Sequence, residues 1–329
     1  MKKNLMFLFT VAVALAACNG GFKKGPGGLL YNIHEDKSGP NMKEGDFIYL
    51  NMIIKNDADS VMMSTYNTGR AVPTLLPKPQ NPGDIYAGLA LLSEGDSATV
   101  KINADSIFKA GQPKPPGFKG KYLVYQIKVE KVIAKGKLDD VVFRNRINEF
   151  FKGLADQAKK EEPGKIAKYV ADNKLDVKKT ASGLNYVITK PGNGPTPVPG
   201  DTVEVSYVGK LTSGKAFETN IKAEADKDKS LFNPMNPYKP FKFAIGQHQV
   251  VQGWDEGLSL MNKGAKATLI FPSSLGYGEQ GNGPIGPFTP LVFEVELVNI
   301  IKPDPNAKPA TPPAPPVAAQ LQAAPPVKK

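Results

Sequence analysis

At 329 residues the chain suits two domains with extensions, and its 41% hydrophobic content is ample for globular cores. The formal charge of +11 comes from lysines spread through 152–179 and over the rest of the chain, without a dense basic run interleaved with aromatics, which argues against nucleic acid as a partner. With one cysteine and two histidines, His34 and His248, the composition argues against disulfides, a zinc cluster or a histidine-based triad, and no metal or other cofactor is expected.

Residues 1–17 open with Met1-Lys2-Lys3 and continue as an apolar run over 5–17, too short for an ordinary membrane span and arranged like an export signal. Leu15-Ala16-Ala17-Cys18 resembles the bacterial lipobox. The resemblance implies cleavage ahead of Cys18 and a diacylglycerol thioether on its sulfur, whose acyl chains bury methylenes worth about 0.8 kcal/mol each. A plain secretory signal with an incidental cysteine is the other reading. Both predict export. The first adds a lipid anchor on Cys18 that holds the protein to the bacterial cell envelope, at the outer membrane or the periplasmic face. Residues 18–28 are rich in Gly and Lys and read as a flexible tether.

Residues 29–135 read as a diverged copy of a later domain. Gly28-Leu29-Leu30-Tyr31-Asn32-Ile33 parallels Gly183-Leu184-Asn185-Tyr186-Val187-Ile188, and Gly45-Asp46 parallels Gly200-Asp201. The run 122–129 likewise parallels 291–298. In this alignment Ile85 stands for Trp254, Met52 for Tyr207, Met63 for Phe217 and Phe108 for Tyr277. Apolar bulk is kept, whereas an indole and two phenolic hydroxyls are lost. The Pro-rich stretch 70–82 makes a poor substitute for the strand at Phe241-Lys242-Phe243. The copy is expected to keep the fold and lack the chemistry; its methionines leave binding of unfolded chains open.

Residues 136–178 are a helical linker. Leu138, Val142, Phe143, Ile147, Phe150, Phe151, Leu154 and Ala158 recur at three- and four-residue steps, predicting an amphipathic helix over 138–160. Pro163 is placed to start a second, shorter helix through about Asn173. The apolar face either packs on a domain or pairs with a second copy in a homodimer.

Residues 179–302 form the second domain. Short strands are predicted over 186–188, 203–208, 241–243, 267–271 and 291–300, with a short helix beginning near Trp254 and closed by Gly264. Phe241, Phe243, Val250, Val251, Trp254 and Tyr277 are placed to line one apolar concavity, although aromatics at strand spacing are as readily ordinary core. The polar stretch 222–229 is expected to be a mobile loop, with Phe232, Met235 and Tyr238 docked beside the concavity. The Pro/Ala-rich tail, 303–329, is expected to be disordered and extended.

Five runs of this domain, at 203–220, 240–246, 249–258, 264–278 and 291–300, resemble the FKBP family of peptidyl-prolyl cis/trans isomerases in sequence and order. The resemblance implies an α+β fold: two FKBP-like domains, each a twisted antiparallel sheet wrapped around a short helix, joined by the helical linker. It also implies isomerisation of X–Pro bonds in unfolded or partly folded proline-containing polypeptides. By resemblance, Trp254 is the pocket floor, and Tyr207, Phe217, Phe241 or Phe243, Val250, Val251 and Phe293 are walls. The Val251 N–H and the Tyr277 hydroxyl match donors to substrate carbonyls. Glu218 stands where the family has Asp, which puts its hydrogen-bonding reach in question. Residues 281–290 match a flap over the pocket, with Ile285 its apolar residue. The competing reading is a non-catalytic chaperone or assembly lipoprotein that uses the same fold for binding.

Overall fold

The structure, a computed structural model, describes residues 21–68, 70–108, 114, 118 and 120–303. The expected export signal, Cys18 and the tail beyond Pro303 lie outside the described residues. Contacts divide the chain into two units, one of residues 1–66 with 71–138 and the other of 67–70 with 139–329.

The first unit holds a seven-stranded antiparallel sheet. Its elements are β1 (Lys23–Lys24), β2 (Leu30–Glu35), β3 (Phe47–Asn56), β4 (Val61–Ser64), α1 (Thr65–Thr68), β5 (Val72–Leu75), α2 (Ile85–Leu89), β6 (Ser97–Asn103), α3 (Ala104–Phe108) and β7 (Tyr122–Ile133). The strands run β1-β2-β6-β7-β3-β4, and β5 also pairs with β3. The helix α4 (Asp140–Asp172) opens the second unit, followed by β8 (Lys178–Lys179), β9 (Asn185–Lys190), β10 (Thr202–Leu211), β11 (Ala216–Thr219), α5 (Lys222–Lys227), β12 (Phe241–Ala244), α6 (Gln252–Ser259), β13 (Lys266–Phe271) and β14 (Leu291–Ile301). Its order, β11-β10-β14-β13-β9-β8 with β12 also on β10, repeats the first sheet strand for strand. The α+β architecture implied by the sequence is thus present twice.

The repetition extends to irregularities. The β3–β7 ladder slips between Tyr49 and Leu50, and β10–β14 slips between Glu204 and Val205. Asp46 accepts from the Lys43 N–H as Asp201 accepts from the Val198 N–H. Two expectations are corrected. The Pro-rich stretch does form a strand, β5, in which Pro73 pairs with Tyr49 on an outer position where a missing N–H is tolerated. On β4, Met63 pairs with Ile54 as Glu218 pairs with Gly209, so Met63 corresponds to Glu218, and Met62 takes the place of Phe217.

Helix α6 lies against its sheet because it carries Gly253 and Gly257, four residues apart and therefore on one face. A Cβ on Gly253 would sit 2.6 Å from the Phe271 ring, and one on Gly257 would sit 2.6 Å from Leu269. These approaches are closer than any side chain permits, so the helix backbone rests directly on β13. Gly88 of α2 plays the same part, with 2.9 Å to Val100 Cγ1. Val203, Val205, Leu258, Leu269, Phe271, Val295 and Leu297 fill the resulting core.

The other face of the second sheet is covered by the C-terminal half of α4. Tyr169 packs on Ile270 and Val292, with Ile166 and Val170 around them. Ile270 and Val292 alternate with Leu269 and Phe293, so one pair of strands serves both faces. This packing accounts for a further correction: α4 is one helix of 33 residues that continues through Pro163. An interior proline forfeits a helical hydrogen bond. Here the residue before it is tied down, since the Glu162 carboxylate accepts from both the N–H and the Oγ of Ser273, while the residues after it are anchored on the sheet. Towards the N-terminus, Val141, Val142 and Phe151 are exposed. The stretch expected as a mobile loop also has regular structure: α5 is supported by Lys222–Asp226 and Lys227–Glu224 ion pairs one helical turn apart, and its Ala225 is buried.

Candidate functional site

The side chain of Trp254 forms the floor of a cavity of about 440 Å³. It is placed there by α6, whose glycine face is turned to β13. Three rings stand edge-on around the indole: Tyr207 of β10 at 4.9 Å, Phe293 of β14 at 5.2 Å and Phe241 of β12 at 6.5 Å between centroids. Edge-to-face contacts of this kind suit the ring quadrupoles and hold the floor in one orientation. Val250, Val251, Glu218 and Tyr277 complete the lining together with polar groups of the Gln249 and Gln252 loop.

The loop ahead of α6 is fixed by its own polar groups. Gln249 Oε1 accepts from the Ala244 N–H at 3.1 Å, and Asp255 Oδ1 accepts from the Gly246 N–H at 2.8 Å. Among the described residues, the Val251 N–H meets no acceptor, although its carbonyl starts the helix. The indole Nε1 of Trp254 is buried without a partner. A buried orphan donor costs about 1–3 kcal/mol, which a ligand carrying an acceptor relieves.

Three ionisable groups share the cavity. Burial pushes the Glu218 carboxyl up, and the facing Tyr207 hydroxyl partly offsets this. Burial, then the charge of Glu218, drives the Tyr207 phenol well above its ordinary value. Tyr277 is pushed up by the same two causes, with the side chain of Asn282 opposing them. Both phenols therefore stay protonated and able to donate at neutral pH.

Not every residue singled out from the sequence reaches this cavity. Tyr207, Glu218, Phe241, Val250, Val251, Trp254, Tyr277 and Phe293 line it. Phe217 and Ile285 line an adjoining groove of about 400 Å³. Phe243 is buried in the core behind Phe241, 5.6 Å between ring centroids, and lies in neither lining. The flap turn is closed by reciprocal hydrogen bonds between the backbones of Asn282 and Ile285. Sequence reasoning missed Glu162, which holds Ser273 at the start of the segment leading to Tyr277, and Lys159, whose ammonium lies 5.3 Å above the Phe288 ring of the flap. The signal for Glu162 was its position: it sits four and seven residues before Ile166 and Tyr169, in the apolar stripe.

Residues 194–298 match the family model described as FKBP-type peptidyl-prolyl cis-trans isomerase. The chain is 39% identical over 160 residues to an FKBP-type peptidyl-prolyl cis-trans isomerase FkpA from Aeromonas hydrophila, a match covering 48% of this chain and 54% of that protein. It is 32% identical over 186 residues to FkpA from Escherichia coli (strain K12), covering 53% of this chain and 61% of that protein. The chain thus spans little more than half the length of these relatives. A crystal structure of a peptidyl-prolyl cis-trans isomerase from Pseudomonas syringae pv. tomato is 36% identical, with 45% of this chain and 96% of that chain covered and a TM-score of 0.37.

The raised Glu218 carboxyl has a consequence for stability. A carboxyl whose folded pKa exceeds its unfolded one binds more protons in the folded state, so stability falls as pH rises from the ordinary carboxylate range through the folded value. Glu218→Gln lacks this loss. In thermal melts across pH, the variant is expected to gain on the wild type as pH rises through that window and to hold its gain above it; a pH-independent difference would contradict the burial of this charge.

Proposed function

The chain belongs to the FKBP-type peptidyl-prolyl cis-trans isomerase family through its second unit, and from that premise we propose that it catalyses cis/trans isomerisation of X–Pro bonds in unfolded or partly folded polypeptides. The observation that carries this reading is an apolar floor, Trp254, beneath two donors, the unengaged Val251 N–H and the Tyr277 hydroxyl, which faces the Asn282 side chain.

The reaction needs no nucleophile. The barrier of about 18–20 kcal/mol comes from amide conjugation. Conjugation is lost as the bond twists, and the carbonyl becomes less dipolar. A cavity walled by Tyr207, Phe241, Phe293 and Trp254 solvates the planar, polar amide poorly and the twisted amide less poorly, so its binding favours the transition state. The proline ring rests on the indole. The Val251 N–H and Tyr277 O–H hold the flanking carbonyls while the bond rotates, which converts binding energy into orientation. Glu218, facing Tyr207, keeps that phenol fixed in the wall.

We place the protein outside the cytoplasm, anchored through lipid on Cys18 to the cell envelope and assisting folding of exported proteins there. Support comes from the signal-like start and from the unique cysteine at its end. Among the described residues no helix is long and apolar enough to cross a membrane. The first unit, with Met52, Met62 and Ile85 at the positions of Tyr207, Phe217 and Trp254, is a degenerate copy without isomerase chemistry. Its exposed Val61, Met62, Met63 and Tyr66 favour a second role, holding unfolded chains.

A proline-limited refolding assay tests the main reading. The full chain accelerates the slow phase. Trp254→Ala lowers kcat/KM by about tenfold or more, since the stacking surface of a buried aromatic is worth about 1.5–3 kcal/mol. Tyr277→Phe, which keeps the ring, lowers it while the melting temperature holds. Suppressed aggregation without acceleration would instead support binding alone. For the anchor, Cys18→Ser is expected to move the protein from the membrane to the soluble fraction; continued membrane association would contradict lipid attachment at that sulfur.

A further inference from the structure

Next to the prolyl cavity lies the second groove, and the two share Tyr207, Glu218 and Phe241 as a common wall. Its far side is built by residues 221–239, between β11 and β12. This segment is pre-ordered. Asn220, itself buried, ties its ends: its Nδ2 donates to the carbonyls of Val205 at 2.8 Å and Lys239 at 3.0 Å, and its Oδ1 accepts from the Tyr207 N–H. Asn236 Nδ2 donates to the Thr219 carbonyl at 3.0 Å, and the Asn233 N–H donates to the Tyr238 hydroxyl at 2.8 Å. Tyr238 stacks behind Phe232 at 6.2 Å, and Lys222 lies 5.4 Å over the Phe232 ring.

So firm a scaffold presents Phe232 half-exposed and Met235 at 87% exposure, both along the groove. On a segment held by this many hydrogen bonds, solvent-facing apolar side chains are held out for a contact. A second observation lies across from them. Asn282 of the flap is 9% exposed and lines the same groove, yet its Oδ1 is buried without a partner. An orphan acceptor beside an apolar strip suits an extended peptide, whose N–H groups and side chains alternate along the chain.

We infer that this groove is a second substrate subsite, which receives apolar side chains of client residues two to four positions from the proline and offers Asn282 Oδ1 to a client N–H. The inference rests on the prolyl-isomerase reading of the adjoining cavity, because the shared wall at Phe241 makes one continuous track for one peptide. Met235, unbranched and adaptable, accepts varied apolar partners, so the subsite selects for apolar character rather than for one residue.

The test compares two prolyl peptides on the full chain, with Leu or with Ser at positions two to four from proline on both sides. Affinity is read by titration and turnover by exchange NMR. The wild type prefers the Leu peptide by about tenfold, the effect of burying part of one such side chain. Met235→Ser, at a fully solvated position, brings this ratio towards one. Phe232→Ser does the same and serves as an independent check, with melting temperatures reporting on the fold. A ratio near one in the wild type, or an undiminished ratio in both variants, overturns the subsite. Should neither peptide be turned over while the binding ratio still falls in the variants, the groove stands and the isomerase reading fails.

Discussion

The site depends on the contact between the backbone of α6 and the face of β13. Gly253 and Gly257 carry no Cβ, and the space one would occupy is filled by Phe271 and Leu269. This brings the helix to its sheet with Trp254 facing away from it, among Tyr207, Phe241 and Phe293. Phe271 in turn stacks on Phe293 at 5.8 Å, so the ring that meets Gly253 also supports a wall of the cavity. Packing, floor and wall are therefore one mechanical unit, in which a single added methyl is felt at the site.

The opposite face of the same strands is engaged by α4. Tyr169 covers Ile270 and Val292, and Glu162 receives Ser273 just before the turn that carries Tyr277. Tyr277 supplies a donor at the cavity mouth, so the long helix contributes to the site without touching it. Lys159 over Phe288 adds a contact to the flap, where Phe288 has a positive φ of 48°. The helix is a second scaffold, for the segment that carries Tyr277 into the cavity and for the flap that lines the adjoining groove.

The strands were legible from alternation and the repeat from matched words, because both depend on local pattern. Depth and register were less so. Phe241 and Phe243 share a face by period, yet only Phe241 lines the cavity, since Phe243 pairs with Val203 deeper along the strand. The correspondence of Met63 failed by one residue because apolar character alone matched it to Phe217, whereas the ladder pairs Met63 with Ile54 as it pairs Glu218 with Gly209, and one step of register exchanges every side chain. Pro163 read as a helix start because a local rule cannot see Tyr169 on the sheet or Glu162 on Ser273. The α5 helix was signalled by charge pairs at three- and four-residue spacing, which its overall polarity obscured.

The first unit shows the frame persisting without the aromatic surround. The Met52 N–H bonds Thr65 Oγ1 at 3.0 Å just as the Tyr207 N–H bonds Asn220, so the backbone scaffold survives where the rings do not. What separates the two units is the indole floor, and Trp254 is the sole tryptophan of the chain. Its fluorescence therefore reports on the floor alone. Titration of the full chain with a prolyl peptide is expected to shift or quench the emission, with no response to the same peptide bearing Ala for Pro. Saturable binding of the prolyl peptide, confirmed by NMR, with the emission unchanged would contradict the account.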